Sequence, residues 1–132
     1  MAVGIQAEGH PGGARRDGFH SDCPGRVLFR HVANRWGVLI LTALRHGPLR
    51  FAALRDGVDG ISEKMLSRNL RDLVRDGLVH REVEPTTPPG VTYSLTPLGE
   101  QLAARVHGLL TWVGDHTPDV LAARRRHDEA RP

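Results

Sequence analysis

The stretch ISEKMLSRNLRDLVRDGLVHR, Ile61 to Arg81, holds the chain's single lysine, Lys64, together with Arg68, Arg71, Arg75 and Arg81. Cations at this density suit anionic partners, and arginine adds a planar fork that matches two phosphate oxygens or the O6 and N7 of guanine. Their spacing decides whether they can act together. At about 100° per residue, with Leu66 at zero, Leu70 falls at about 40° and Leu73 at about −20°, defining an apolar helix face. Lys64, Arg68, Arg71 and Arg75 fall at about 160°, 200°, 140° and 180°, a wedge of about 60° opposite the leucines. Glu63, Asp72 and Asp76 lie outside the wedge. A solvated surface face is the plain alternative. Solubility, however, is better served by opposite charges four residues apart, whereas Lys64/Arg68 and Arg71/Arg75 are like-charge pairs costing roughly 0.2–0.5 kcal/mol each. A bound polyanion offsets that cost.

The flanking segments supply a frame for such a helix. Leu49 to Val58 carries Phe51, Leu54 and Val58 at helical spacing, and the turn DGIS follows, its Ser62 placed to cap the next helix. A tight corner of two helices lets the first brace the second while the N-terminal part of the second enters the major groove of duplex DNA. Glu63, Lys64, Ser67 and Arg68 are then candidates for base edges, with Ser62 beside them at the cap, and Arg71 and Arg75 for phosphates. Beyond Gly77 the period becomes two, with Val79, Arg81 and Val83 alternating against His80, Glu82 and Glu84, which predicts a strand. PTTPPG separates it from a second strand, VTYSL, giving a hairpin that can serve as a wing. Its tip has no cation, so contacts there fall to the hydroxyls of Thr86 and Thr87 and to backbone N–H groups near Gly90.

Upstream, CPGRVLFRHVANRW predicts a short helix with Pro24 in its first turn, and RWGVLILTALRH a central core helix ended by Gly47 and Pro48. Downstream, Thr96 and Pro97 open a final helix with Leu98, Leu102, Val106, Leu109 and Val113 on one face. That face requires a partner, either a second chain or the chain's own core. The expected class is mainly α with a small β-hairpin: a winged helix-turn-helix domain with N- and C-terminal dimerisation helices over residues 23–116. A flexible tail (1–22) precedes it, and a mixed-charge C-terminal tail (117–132), including RRRHDEARP, frays.

Composition agrees with one domain of 132 residues, net charge +3 and a sequence pI near 10.0. No run approaches the roughly 18 apolar residues of a membrane span. The first twenty residues lack a secretory signal, so a soluble cytoplasmic protein is expected. One cysteine, Cys23, excludes an internal disulfide and a multi-cysteine zinc site. The eight histidines form no H-E-x-x-H or finger spacing; they read as surface groups, with His31 and His46 at edges of the core. No nucleophile elbow, phosphate-cradling glycine loop or paired catalytic carboxylates occur, so neither an enzyme nor a cofactor is expected. The competing reading is a winged-helix module whose basic face binds a protein or RNA. A non-covalent ligand between helices near Trp36 or Trp112 is a further alternative.

In order and spacing, Cys23-Pro24, RWGVLIL, GPLRFAALR, GISEKMLSRNLRDLVRDGLV, the two wing prolines and YSLTPLG resemble the HxlR-type winged helix-turn-helix transcriptional regulators of bacteria. The resemblance runs from Cys23 to about Trp112. It implies a homodimer on a palindromic operator, more often repressing than activating, with dimer contacts from the N-terminal helix (Val27, Leu28, His31) and from the C-terminal face named above. Two departures stand out: Gly90 replaces the basic residue common after the wing prolines, and Glu84 replaces the aromatic residue common before the wing, which is expected to repel phosphate. Cys23 matches the position at which several members carry a thiol responsive to oxidants or electrophiles. A helix N-terminus and the following Arg26 and Arg30 favour negative charge on its sulfur, Asp22 opposes it, and a plain capping role is the alternative.

Overall fold

The computed structural model describes residues 23–131. The expected N-terminal tail, 1–22, lies outside them. Helix α1 (Pro24–Val32) starts with its proline in the first turn, and α2 (Arg35–Leu44) follows almost at once. Asn34 makes the corner between them. Its side-chain oxygen accepts from the N–H groups of Trp36 and Gly37, both at 2.9 Å, while its amide donates to the carbonyls of Arg30 and His31. The same corner needs glycine at 37, because a Cβ there would stand 2.4 Å from the His31 carbonyl oxygen.

Helix α2 supplies the centre of the core through Ile40, Leu41 and Leu44. Around it pack Leu54 and Val58 from the next helical segment, and Leu66, Leu70 and Leu73 from α4 (Glu63–Arg75). Tyr93 from the sheet and Ala103 and Val106 from the last helix complete it.

The segment Leu49 to Val58 differs from its expected single helix. Leu49–Arg50 is a short strand, β1, and helix α3 spans only Phe51–Gly57. Pro48 holds the preceding chain out of the helical region. The two extended residues then pair with β3 (Gly90–Leu95), Leu49 opposite Tyr93 and Arg50 opposite Thr92. With β2 (Val79–Glu84) the sheet is antiparallel in the order β1-β3-β2. The hairpin is thus one part of a three-stranded sheet, because an unpaired β3 edge would leave backbone groups that β1 satisfies.

Helix α5 runs from Pro97 to Ala130. Thr96 caps it, accepting from the Gly99 N–H at 3.0 Å and donating to the Gly77 carbonyl at 2.6 Å. The expected C-terminal tail is therefore a correction: residues 117–130 continue α5, with Pro118 inside it. A proline there removes one backbone donor. Just before it, Thr117 Oγ1 donates to the Val113 carbonyl at 2.6 Å and His116 Nδ1 to the Trp112 carbonyl at 2.8 Å, with the His116 and Trp112 rings stacked.

One expected dimer residue is corrected by the same helix. Val106 is 6% exposed within its own chain, so it packs intramolecularly, while Leu102 is partly buried beside it. Leu98, Leu109 and Val113 stay exposed, as do Leu28 on α1 and Trp112 on α5. His46 is exposed and not a core edge. His31 is half-buried and tied within the chain: its Nδ1 lies 2.6 Å from an Asp76 carboxylate oxygen and its Nε2 3.9 Å from Asp72. No helix among the described residues is long and apolar enough to cross a membrane.

The tightest backbone approach lies where α5 meets the start of β2. A Cβ on Gly99 would fall 2.0 Å from the Leu78 carbonyl oxygen, which already accepts from the Thr96 N–H. Backbone cannot yield as a flexible side chain can. Gly99→Ala should lower unfolding free energy by about 1–3 kcal/mol in urea denaturation; a loss within ordinary surface-mutation scatter would show that this junction is not tight.

Candidate nucleic-acid interface

The helix-turn-helix consists of α3, the turn at Val58–Ile61 and α4. Ser62 caps α4 through its hydroxyl, which accepts from the Met65 N–H at 3.1 Å. Val58 and Ile61 are buried, anchoring the turn in the core. Arg55 of α3 reaches Glu63 in the first turn of α4 at 2.7 Å and Asp56 at 3.3 Å. These acceptors, Glu63 first, raise the pKa of the Arg55 guanidinium above its already high ordinary value, so it stays charged. Glu63 thus serves the corner in this structure, and its carboxylate is engaged rather than open to a cytosine amino group.

The cations match their expected rotation. Leu66, Leu70 and Leu73 are at most 1% exposed, while Lys64, Ser67, Arg68, Arg71 and Arg75 all face solvent. Among the described residues, Lys64, Arg68, Arg71 and Arg75 form no ion pair or hydrogen bond with another side chain. The acidic residues at the C-terminal end of α4 turn elsewhere, Asp72 and Asp76 both toward His31 of α1. Asn69, which the leucine pattern does not single out, is a buried polar residue of α4 at 9% exposure; its amide donates to the Met65 carbonyl one turn back.

The wing has a stem that the sequence did not disclose. Arg50, in β1, pairs with Glu84 at the end of β2, and the other carboxylate oxygen of Glu84 accepts from Thr92 Oγ1 at 2.9 Å. Glu84 is therefore charge-compensated, which corrects the expectation that it repels phosphate. Arg50 also puts a cation at the base of a wing whose tip has none. Gly90 follows from this clasp: a Cβ there would meet Glu84 Oε1 at 2.8 Å and the Arg50 guanidinium carbon at 3.1 Å. Thr86 and Thr87 are exposed. The Thr86 hydroxyl already donates to the Pro88 carbonyl at 2.8 Å, so it remains only an acceptor for a ligand, while Thr87 makes no such bond.

Cys23, the expected thiol, is the N-cap of α1 and half-buried. Its carbonyl accepts from the N–H groups of Arg26 and Val27, but its side chain makes no capping bond. Val27 is half-buried on the same helix. No group of three or more His, Cys, Asp or Glu side chains able to hold a metal occurs among the described residues.

Comparison with known proteins agrees with this geometry. Residues 31–120 match the family model for an HxlR-like helix-turn-helix. The chain is 50% identical over 106 residues to the uncharacterised HTH-type transcriptional regulator YtfH of Escherichia coli (strain K12), covering 80% of this chain and 84% of that protein. A solved YtfH structure from Salmonella typhimurium superposes with a TM-score of 0.77 at 50% identity, covering 81% of this chain and 96% of that one. The redox regulator HypR in its reduced form superposes with a TM-score of 0.67 at 33% identity, covering 76% of this chain and 98% of that one.

The clasp at the wing stem gives a local test. Arg50 is largely exposed, so its ion pair contributes at most about 1 kcal/mol to global stability. Its effect should be local. Arg50→Ala should speed amide exchange over 84–92 several-fold while leaving the denaturation midpoint nearly unchanged. Unaltered exchange in the hairpin would show that the wing is held by its strands alone.

Proposed function

The chain belongs to the HxlR-like helix-turn-helix family and is a transcriptional regulator; from this we propose that it is a homodimeric repressor that binds a palindromic double-stranded operator with α4 in the major groove. The observation that carries the reading is the unpaired cationic face of α4, backed by buried leucines and free of carboxylates. Phosphates would offset both the like-charge repulsion along the helix and the absence of intramolecular partners. Lys64, Ser67 and Arg68 lie in the first two turns and read base edges; Arg71 and Arg75, further along, hold phosphates. Arg50 and Thr87 offer weaker contacts from the wing.

Two recognition helices must stand about 34 Å apart to reach successive major grooves, so the dimer sets the operator's half-site spacing. The exposed apolar residues support this assembly. Leu98, Leu109, Trp112, Val113 and Val120 lie along α5, and Leu28 on α1, all exposed and none covered by the described residues. A helix of 34 residues spans about 51 Å, long enough to extend well beyond the core to which Ala103 and Val106 anchor it.

Cys23 is the proposed sensor for an oxidant or an electrophilic inducer. A thiol at a helix N-terminus without a capping role is available to react. Alkylation, a mixed disulfide or a disulfide to the partner chain are the products open to it, because no second cysteine exists in the chain. The signal would reach α4 through α1, which His31 ties to Asp76.

Binding to the protein's own upstream DNA should fall steeply with salt, and a competing random duplex should bind far less well. Arg68→Ala should lose sequence preference by about 1–3 kcal/mol at one base position, whereas Arg75→Ala should weaken all duplexes alike and reduce the salt slope by about one. Equal affinity for upstream and random DNA would refute the operator reading and favour a protein or RNA partner. For the sensor, a thiol-reactive electrophile should weaken operator binding by the wild type and leave Cys23→Ser unaffected; an equal response in both proteins would remove Cys23 from the mechanism.

A further inference from the structure

A second feature of α4 faces the sheet. Arg81 stands opposite Tyr93 in the β2–β3 register, so both side chains project from the same side of the sheet, toward α4. Between that side and the helix runs a cleft of about 390 Å³. Leu70, Val74 and Tyr93 give it an apolar floor, Ser67 adds a hydroxyl-bearing side chain, and the exposed Arg71, Arg75 and Arg81 complete the lining. No carboxylate lines it.

We propose that this cleft binds a small organic anion with a flat apolar body, an aromatic carboxylate, and that such a ligand and duplex DNA exclude one another. The exclusion rests on the regulator reading above, since Arg71 and Arg75 are its phosphate contacts; the binding site itself does not.

Three observations select this ligand chemistry. First, none of the three arginines that line the cleft has a hydrogen-bond or ion-pair partner among the described residues, so the cleft holds three uncompensated cations. A carboxylate fits the guanidinium fork with two parallel hydrogen bonds. Second, the floor is mostly apolar. A bare phosphate gains nothing from Leu70, Val74 and the Tyr93 ring, whereas an aromatic body removes that surface from water. Third, Tyr93 is 8% exposed as a whole residue, but its hydroxyl is not buried and has no hydrogen-bond partner among the described residues, so it is open to donate. A ligand carboxylate in the same cleft can accept from it. The volume matches a body of one or two rings, at the small end of ordinary ligand sites.

The DNA consequence is geometric. A carboxylate held by Arg71 and Arg75 occupies the donors that would otherwise meet phosphate oxygens, so one site cannot serve both anions at once. This would make the cleft a direct switch on the recognition helix, independent of Cys23.

The test uses the full chain and 2-naphthoate, with 2-naphthalenemethanol as the neutral arm, followed by amide chemical shifts. Naphthoate should give saturable shifts confined to residues 67–75, 79–83 and 91–95. The alcohol should bind at least about tenfold more weakly, and Arg81→Gln should weaken naphthoate by about tenfold, the loss of one charged hydrogen-bonding group. Tyr93→Phe, which keeps the ring and removes the hydroxyl, should give a smaller loss with an unchanged fold. In a duplex competition the apparent DNA dissociation constant should rise in proportion to naphthoate. Absent or scattered shifts at millimolar naphthoate, equal binding of acid and alcohol, or an undiminished affinity in Arg81→Gln would each overturn the site. Naphthoate bound in the cleft with duplex affinity unchanged would overturn the exclusion. A protein that binds naphthoate there but no duplex would leave the site standing and sink the regulator reading instead.

Discussion

Burial of Leu66, Leu70 and Leu73 sets the rotation of α4, and every surface property of that helix depends on it. Burying a leucine side chain contributes about 1.5–3 kcal/mol, so the three together contribute several. The two like-charge pairs on the opposite face cost at most about 1 kcal/mol in sum. The hydrophobic term wins. Turning the helix to relieve the cations would expose the leucines. The core therefore presents Lys64, Arg68, Arg71 and Arg75 as one surface whether or not a partner is bound, and no rearrangement is needed to assemble it.

The acidic residues near this surface share a pattern. Glu63 is held by Arg55, Glu84 by Arg50 and Thr92, and Asp72 and Asp76 face His31. Each of these links joins two elements: α3 to α4, β1 to the hairpin, α1 to α4. Exposed ion pairs of this kind add little stability one by one. Their larger consequence is electrostatic and geometric. They withdraw negative charge from the face of α4 and tie α3 and α1 to that helix and β1 to the hairpin.

Much of this was legible in the sequence because it is written in local periodicity. The leucine face of α4, its opposite cationic wedge, the Ser62 and Thr96 caps and the alternation in β2 all follow from residues within a few positions of one another. What escaped depends on contacts between distant segments. Leu49 and Arg50 read as part of a helix because nothing nearby shows that the edge of β3, some forty residues later, requires a strand. Missing that strand hid the Arg50–Glu84 clasp, and with it the reason for Gly90. The stripe from Leu98 to Val113 was visible as a face, but periodicity could not divide it between the chain's own core, which takes Val106 and most of Leu102, and the exposed remainder. The C-terminal residues read as a tail because they mix both charge signs, yet helix propagation from a well-capped, core-anchored start carries α5 to Ala130.

Among the described residues, helix α1 is less deeply buried than α2 or α4. It has no fully buried side chain, whereas α2 and α4 each bury three or more residues. Its attachments include the Asn34 corner, the His31–Asp76 contact and partly buried packing of residues such as Val32. A contact on its exposed Leu28, or a new group on Cys23 at its N-cap, would therefore act on a helix without buried side chains, which the His31–Asp76 contact joins to the C-terminal end of the cationic one. The firm rotation of α4 and the shallow burial of α1 are two results of one distribution of buried leucines.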